Sequence, residues 1–229
     1  MKNLLSFVML ALMTIPAMSQ CNEFFPMREN VKVHYDHTDK KDKVTLKTTQ
    51  MMKNVSGSGN SMRGIMVQEM IDVKKNEIIT TSESDWICDN GTVSFHVNSM
   101  SHMEAAGAGN NMTVEVSGDK FDVPSTFKVG QALDDLTYTV KIMMGSMTMM
   151  NRTFTVADRK VEALESVTTP AGTFDCYKVT FLTSSSGGIG AGTTKSAVWY
   201  AKDIGLVKSE LYSDNGKIMG KQILAKIEK

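Results

Sequence analysis

The chain has 229 residues, 25 basic and 25 acidic side chains, a formal net charge of zero and 41% hydrophobic residues. Balanced charge gives no electrostatic footprint for nucleic acid and no basic block for an anionic membrane. The length supports one large domain with a sizeable core.

At the N-terminus Lys2 precedes an apolar run from Leu4 to Ile15 that ends at Ala17-Met18-Ser19. That is a small-x-small site of the kind a signal peptidase cuts, so residues 1–19 read as a secretory signal. Residues 20–229 then read as a single β-rich domain exported to the periplasm, the outer membrane or the cell surface. Cys21 stands where a bacterial lipoprotein would carry its acyl chain, which keeps lipidation open as an alternative. Gln20 before it departs from the Gly, Ala or Ser such processing prefers. No later stretch approaches the roughly 18 consecutive apolar residues that span a bilayer, so no transmembrane segment is expected in the mature chain. In an oxidising compartment two of Cys21, Cys88 and Cys176 are expected to pair. Cys88 with Cys176 is the expected bridge, because both lie inside the β region; three separate buried thiols are the alternative.

Taken in order, residues 21–30 read as an opening loop whose Phe24 and Phe25 plug one end of the sheet. Val31–His37 alternates, with Val31, Val33 and Tyr35 on one face and Lys32, His34 and Asp36 on the other, which is a half-buried strand. A charged turn at 39–43 leads to strands at 44–55, 62–73 and 77–84, rich in β-branched residues. Asn90-Gly91 then turns into a strand at 92–100. The Ala/Gly cluster at 101–111 reads as a loop, 112–116 as a strand, and 121–133 as a long connection anchored by Phe121 and Phe127. Strands at 136–144 and 147–156 form a hairpin about Gly145-Ser146. Strands at 160–168, 174–183, 193–200, 206–212 and 218–227 complete the set. Pro170 presets φ for one corner of the turn between 168 and 174, and Gly172 supplies a positive φ at the other.

A dozen short strands at regular spacing, with almost no helical period, give an all-β fold: a curved antiparallel sheet forming a barrel or half-barrel, with a two-sheet sandwich as the alternative. Two stretches are distinctive, Thr168-Thr-Pro-Ala-Gly-Thr-Phe-Asp-Cys-Tyr-Lys178 and Trp199-Tyr-Ala-Lys-Asp-Ile-Gly-Leu-Val-Lys208. With the early Phe25-Pro26 and the Gly-x-x-Leu at Gly130 to Leu133, they resemble the TapB-like family of exported bacterial proteins, within a wider group of domains of unknown function common in Bacteroidetes envelopes. The resemblance covers most of the mature chain. It implies a curved β-sheet reminiscent of periplasmic lipoprotein carriers and brings no catalytic residue with it.

Chemistry-bearing patterns are sparse. His34 and His37 are three apart, which on a strand sends them to opposite faces and away from one shared metal ion. The sequence holds no Gly-x-Ser-x-Gly elbow, no His-Glu-x-x-His helix and no cysteine with a nearby His of familiar spacing. Ser184 to Gly190 lacks the Lys-Ser/Thr of a phosphate loop, and the carboxylates of Asp134 and Asp135 diverge as strand neighbours do. Of the 19 methionines, Met143, Met144, Met147, Met149 and Met150 crowd one hairpin. Thioethers there suit Cu(I), plain core, or an adaptable apolar surface. No cofactor, catalytic residue or metal site is expected. The expected function is non-enzymatic binding of a lipid or other apolar small molecule within the curved sheet, with Met143, Met147, Met149 and Trp199 as candidate lining. A surface module that binds an envelope protein, and a hydrolase with an unrecognised site, are the alternatives.

Overall fold

The computed structural model of the chain describes residues 21–96, 112–187 and 192–229. The expected leader at 1–19, the loop at 101–111 and part of the loop at 184–192 lie outside the described residues. The strands are β1 (Lys32–Asp39), β2 (Val44–Ser58), β3 (Ser61–Asp72), β4 (Glu77–Asp89), β5 (Thr92–His96), β6 (Met112–Gly118), β7 (Lys120–Val123), β8 (Leu136–Met144), β9 (Met147–Thr169), β10 (Gly172–Ser186), β11 (Gly192–Ala201), β12 (Gly205–Tyr212) and β13 (Ile218–Glu228).

All thirteen belong to one antiparallel sheet in the order β6-β8-β9-β10-β11-β12-β13-β1-β2-β3-β4-β5-β7. β6 and β7 occupy the two edges of that order, yet only Asp119 separates them in sequence. Residues 112–123 therefore run as one line that bonds to β8 with its first half, where Gly118 faces Tyr138, and to β5 with its second, where Lys120 faces His96. Asp119 fixes the jog: its N–H donates to the Thr137 carbonyl at 2.9 Å and its carboxylate accepts the Thr137 N–H at 2.8 Å. The switch brings the two edges together, so the sheet is a nearly closed barrel and few ladder groups remain free to recruit another chain. The sandwich alternative does not hold, because all the strands among the described residues belong to one sheet.

Turns β2–β3, β4–β5, β9–β10 and β11–β12 lie at one end, the upper, and turns β1–β2, β3–β4, β8–β9 and β12–β13 at the other. At the β4–β5 turn Asn90 and Gly91 both take positive φ, 49° and 83°, the geometry whose twist suits a two-residue hairpin. Gly172 takes φ 141° beyond Pro170.

Two segments depart from the sequence expectation. The stretch 121–133 begins within a four-residue strand, β7, too brief to carry a period of its own. The two strands expected at 147–156 and 160–168 are one 23-residue strand, β9. The break between them survives as a bulge, since Ala157 pairs with Leu182 and Lys160 with Thr180, leaving Asp158 at φ 55° and Arg159 out of register. A bulge of this kind re-aims a side chain, and here it turns Arg159 toward the interior.

The upper end is closed by residues 21–30 and by the connection 124–133. Phe24 packs on Phe127 and Tyr177, with ring centroids 4.7 and 5.5 Å away, and Phe25 stacks on Trp86 at 4.2 Å. Buried Asn22 staples the segment in place. Its amide donates to the carbonyls of Gly91 and Val123 at 2.7 and 2.9 Å, and its oxygen accepts the N–H groups of Phe24 and Phe25. The bonds to Gly91 and Phe24 are buried, where an unmade one costs about 1–3 kcal/mol, and the other two are part-buried.

The disulfide joins Cys21 to Cys88, not Cys88 to Cys176. Asn22 docks the N-terminal segment beside the β4–β5 turn, which places Cys21 against Cys88, whereas Cys176 sits on β10 as a buried free thiol. The Cys21 sulfur is the partner of Cys88 in this arrangement.

Candidate functional site

Beneath the upper cap the barrel encloses a cavity of about 840 Å³. Its roof is Phe25, Pro26, Phe127 and Leu133, carried by the two capping segments. Its walls come from alternate residues on the strands: Val33 and Tyr35 on β1, Met52 on β2, Met66 on β3, Val179 and Phe181 on β10, Val198 and Tyr200 on β11. An aromatic run forms one side, with Trp86 4.3 Å from Phe95 and Phe95 stacked 5.3 Å from Phe121. None of the lining residues is Ser, Thr, Cys or His.

The polar groups at its border are few and mostly engaged. The Tyr35 hydroxyl donates to the Leu206 carbonyl at 3.0 Å, and burial pushes the phenols of Tyr35 and Tyr200 above their ordinary range, so both are neutral donors at physiological pH. Gln50 donates to Gln68 at 2.7 Å. Arg159, swung in by its bulge, donates to the carbonyls of Asp134 at 2.6 Å and Asp122 at 3.1 Å. It thereby ties both ends of the capping connection to β9. Burial lowers the Arg159 pKa and raises that of the Asp122 carboxyl. Arg28 and Asp203, 3.5 Å apart and both partly exposed, mark with Lys229 the polar margin between the N-terminal segment and the end of β13.

The lining expected from the sequence is not the lining found. Met143, Met147 and Met149 do not border the cavity; they lie at the tip of the β8–β9 hairpin, where Met147 is 61% and Met149 51% exposed. Three other methionines, Met51, Met52 and Met66, border it instead, with Met52 and Met66 directly paired across β2 and β3. Trp199, the fourth candidate, does not border the cavity either: as strand neighbours Trp199 and Tyr200 lie on opposite faces, and Tyr200 is the one that turns inward.

Trp199 is nonetheless only 4% exposed. The β9–β10 hairpin overruns β11, and its bulges let it coil across the outer sheet face until β9 comes within 8 Å of β13 despite three intervening strands. Trp199 fills the space beneath. Its indole N–H donates to Glu165 at 2.6 Å and the Lys208 ammonium sits 4.5 Å from the ring centroid. The cleft beside it, bordered by Glu165, Lys208 and Lys221, is small and polar. The two motifs that stand out in the sequence therefore build this folded-over corner, with Cys176 buried in the same cluster as Trp199.

No group of His, Cys, Asp and Glu among the described residues is placed to hold a metal ion. His34 contacts Thr49 and Glu228, and His37 contacts Thr48. No helix among the described residues is long and apolar enough to cross a membrane.

The sequence pattern of the DUF3108-like family matches residues 28–224, and the chain belongs to that family. Two crystal structures share the fold. One, from Bacteroides fragilis, is of a protein described as exported with a YmcC-like fold; it is 21% identical, covers 91% of this chain and 100% of its own, and superposes with a TM-score of 0.73. The other, from Parabacteroides distasonis, is of a protein described as a lipoprotein, with 20% identity, 92% and 100% coverage and a TM-score of 0.74. No curated protein matches the chain.

Proposed function

We propose that this member of the DUF3108-like family is an exported, non-enzymatic binding protein that holds one apolar molecule, such as a lipid chain, inside its barrel. The cavity carries the reading. Its volume of about 840 Å³ is of ligand-pocket size, and an apolar wall offers few of the polar partners that water filling it would need. An apolar guest of ordinary ligand size recovers that surface at about 25 cal/mol per Å². Methionine at three wall positions suits a guest of loose shape. The wall holds no Ser, Thr, Cys or His, and the half-buried Arg159 that borders it is engaged with the carbonyls of Asp134 and Asp122, which supports a binding role for the site. Export is supported by the signal-like N-terminus, by a disulfide that persists in an oxidising compartment, by the resemblance to the TapB-like group, and by the two fold neighbours described as exported or lipoprotein.

The test is uptake of an apolar fluorophore, N-phenyl-1-naphthylamine, by the full chain and by Val179→Trp, which adds bulk at a wall position of the cavity. Saturable one-to-one binding by the native chain is expected, weakened about tenfold or more by the bulkier variant with its fold retained in circular dichroism. Equal binding by both would place the fluorophore elsewhere and overturn the reading.

A further inference from the structure

One row below the apolar walls, on the side of the lower end, the inner face of the sheet turns polar. Register places the row. Val198 borders the cavity, and its direct partner on β12 is Ser209, which pairs with Gln222 on β13, which pairs in turn with His37 on β1. Directly opposed residues share a face of the sheet, so all three turn inward with Val198. His37 lies two residues beyond the wall residue Tyr35 and contacts the Thr48 hydroxyl of β2 at 2.7 Å. Gln50, itself a wall residue, donates to Gln68 on β3, whose partner on β4 is the buried Ser82. The row thus crosses six neighbouring strands, β12, β13, β1, β2, β3 and β4, without a break.

Its members are polar but uncharged. Asp36, Lys47, Glu69 and Lys221, each a strand neighbour of a row member, stand on the outer face, so neutrality belongs to the inner face and not to these strands. Burial lowers the pKa of His37, which keeps the imidazole neutral at physiological pH. Hydrogen-bonding capacity is left over. Among the described residues the side chains of Ser209, Gln222 and Ser82 make no hydrogen bond, and one glutamine amide offers two donors beside its acceptor. A charged head placed here would give up hydration with no opposite charge to replace it. A guest with no head would leave these donors and acceptors against hydrocarbon. Neutral hydroxyls suit the row on both counts. The charged groups that border the cavity lie at the cap and are engaged, Arg28 with Asp203 and Arg159 with two carbonyls.

We propose that the guest is an amphipath with a neutral polyhydroxyl head, such as a sugar, its chain held under the cap and its hydroxyls bonded to this row. The assignment rests on the cavity reading and names the class of molecule the cavity takes. It also sets the guest's direction, chain toward the cap and head toward the lower end.

Titration calorimetry of the full chain with octyl glucoside, octanoate and octyltrimethylammonium tests it, each ligand below its micellar concentration. The three carry chains of similar length, so the head decides the order of affinity. Octyl glucoside should bind about tenfold or more tightly than either ion, because a site built to bond hydroxyls discriminates strongly against heads that cannot reproduce those bonds. Gln222→Leu removes the amide at similar bulk and Ser209→Ala removes the hydroxyl; each should lower that preference by about threefold or more. Circular dichroism confirms the fold of both variants, and two independent positions keep the test decisive if one of them misfolds. No binding of octyl glucoside, equal affinity for the three heads, a preference for either ion, or an undiminished preference in the folded variants would each overturn the proposal. Uptake of N-phenyl-1-naphthylamine, which has no such head, would in those cases still uphold the cavity reading, and its loss together with that of octyl glucoside would bring down both.

Discussion

Removal of the Cys21–Cys88 bridge should be the most costly change at the cap. The bridge spans 67 residues of sequence, and closing a loop of that length removes about 4 kcal/mol of chain entropy from the unfolded state. That is a large fraction of an ordinary domain stability of about 5–15 kcal/mol. Cys21 and Cys88 are 6% and 0% exposed among Met27, Met52 and Val93, so alanine at Cys21 adds only a small packing loss to the entropic one. Urea unfolding of Cys21→Ala should therefore show a loss of about 3–5 kcal/mol, and Cys176→Ala a loss of only about 1 kcal/mol with the disulfide intact. The cap reports the same change, because Phe24 and Phe25 lose one of their tethers and fluorophore uptake should weaken. The opposite ranking, with Cys21→Ala harmless and Cys176→Ala both destabilising and missing a disulfide by mass, would show that the bridge joins Cys88 to Cys176 and would refute the docking of the N-terminal segment.

Other expectations follow from the same geometry. Burial raises the Cys176 thiol to about 11, so a thiol reagent at neutral pH should find nothing in the native chain and one group after unfolding. Trp199→Phe loses the bond to Glu165 and part of the interaction with Lys208, and should cost about 2 kcal/mol while leaving fluorophore binding unchanged, since the ring faces out of the barrel. A fall in binding would return Trp199 to the lining. Burial depresses His37, with the Asp36 charge opposing in part, so the unfolded chain takes up the proton first as pH falls. Stability is then full above the ordinary histidine value of about 6.5 and declines below it, until the depressed native value is passed, with a slope of at most about 1.4 kcal/mol per pH unit. Comparing urea stability at two pH values for the native chain and His37→Gln should show that component of the slope only in the former.

The strands were largely legible because alternation, Asn90-Gly91 and Pro170-Ala-Gly172 are local signals. So was the plugging role of Phe24 and Phe25. The cavity was not, for three physical reasons. Its roof comes from residues 21–30 and 124–133, which have no periodicity to read. Bulges decide which residues turn inward, and one at Asp158 is enough to aim Arg159 at the interior. Composition also misleads: methionines crowded at 143–150 are crowded at a tip, while of those that border the cavity Met52 and Met66 lie apart in sequence and meet only when β2 pairs with β3. The pairing of Cys88 hung on where Asn22 docks, a contact across more than a hundred residues to Val123.

The central claim, that the barrel is a container for one apolar molecule, is met most directly by native mass spectrometry of the chain isolated without detergent from the envelope of the cell that makes it. The account predicts an adduct of a single lipid-like mass, released on denaturation and missing from Val179→Trp. A bare chain that also excludes N-phenyl-1-naphthylamine would contradict it.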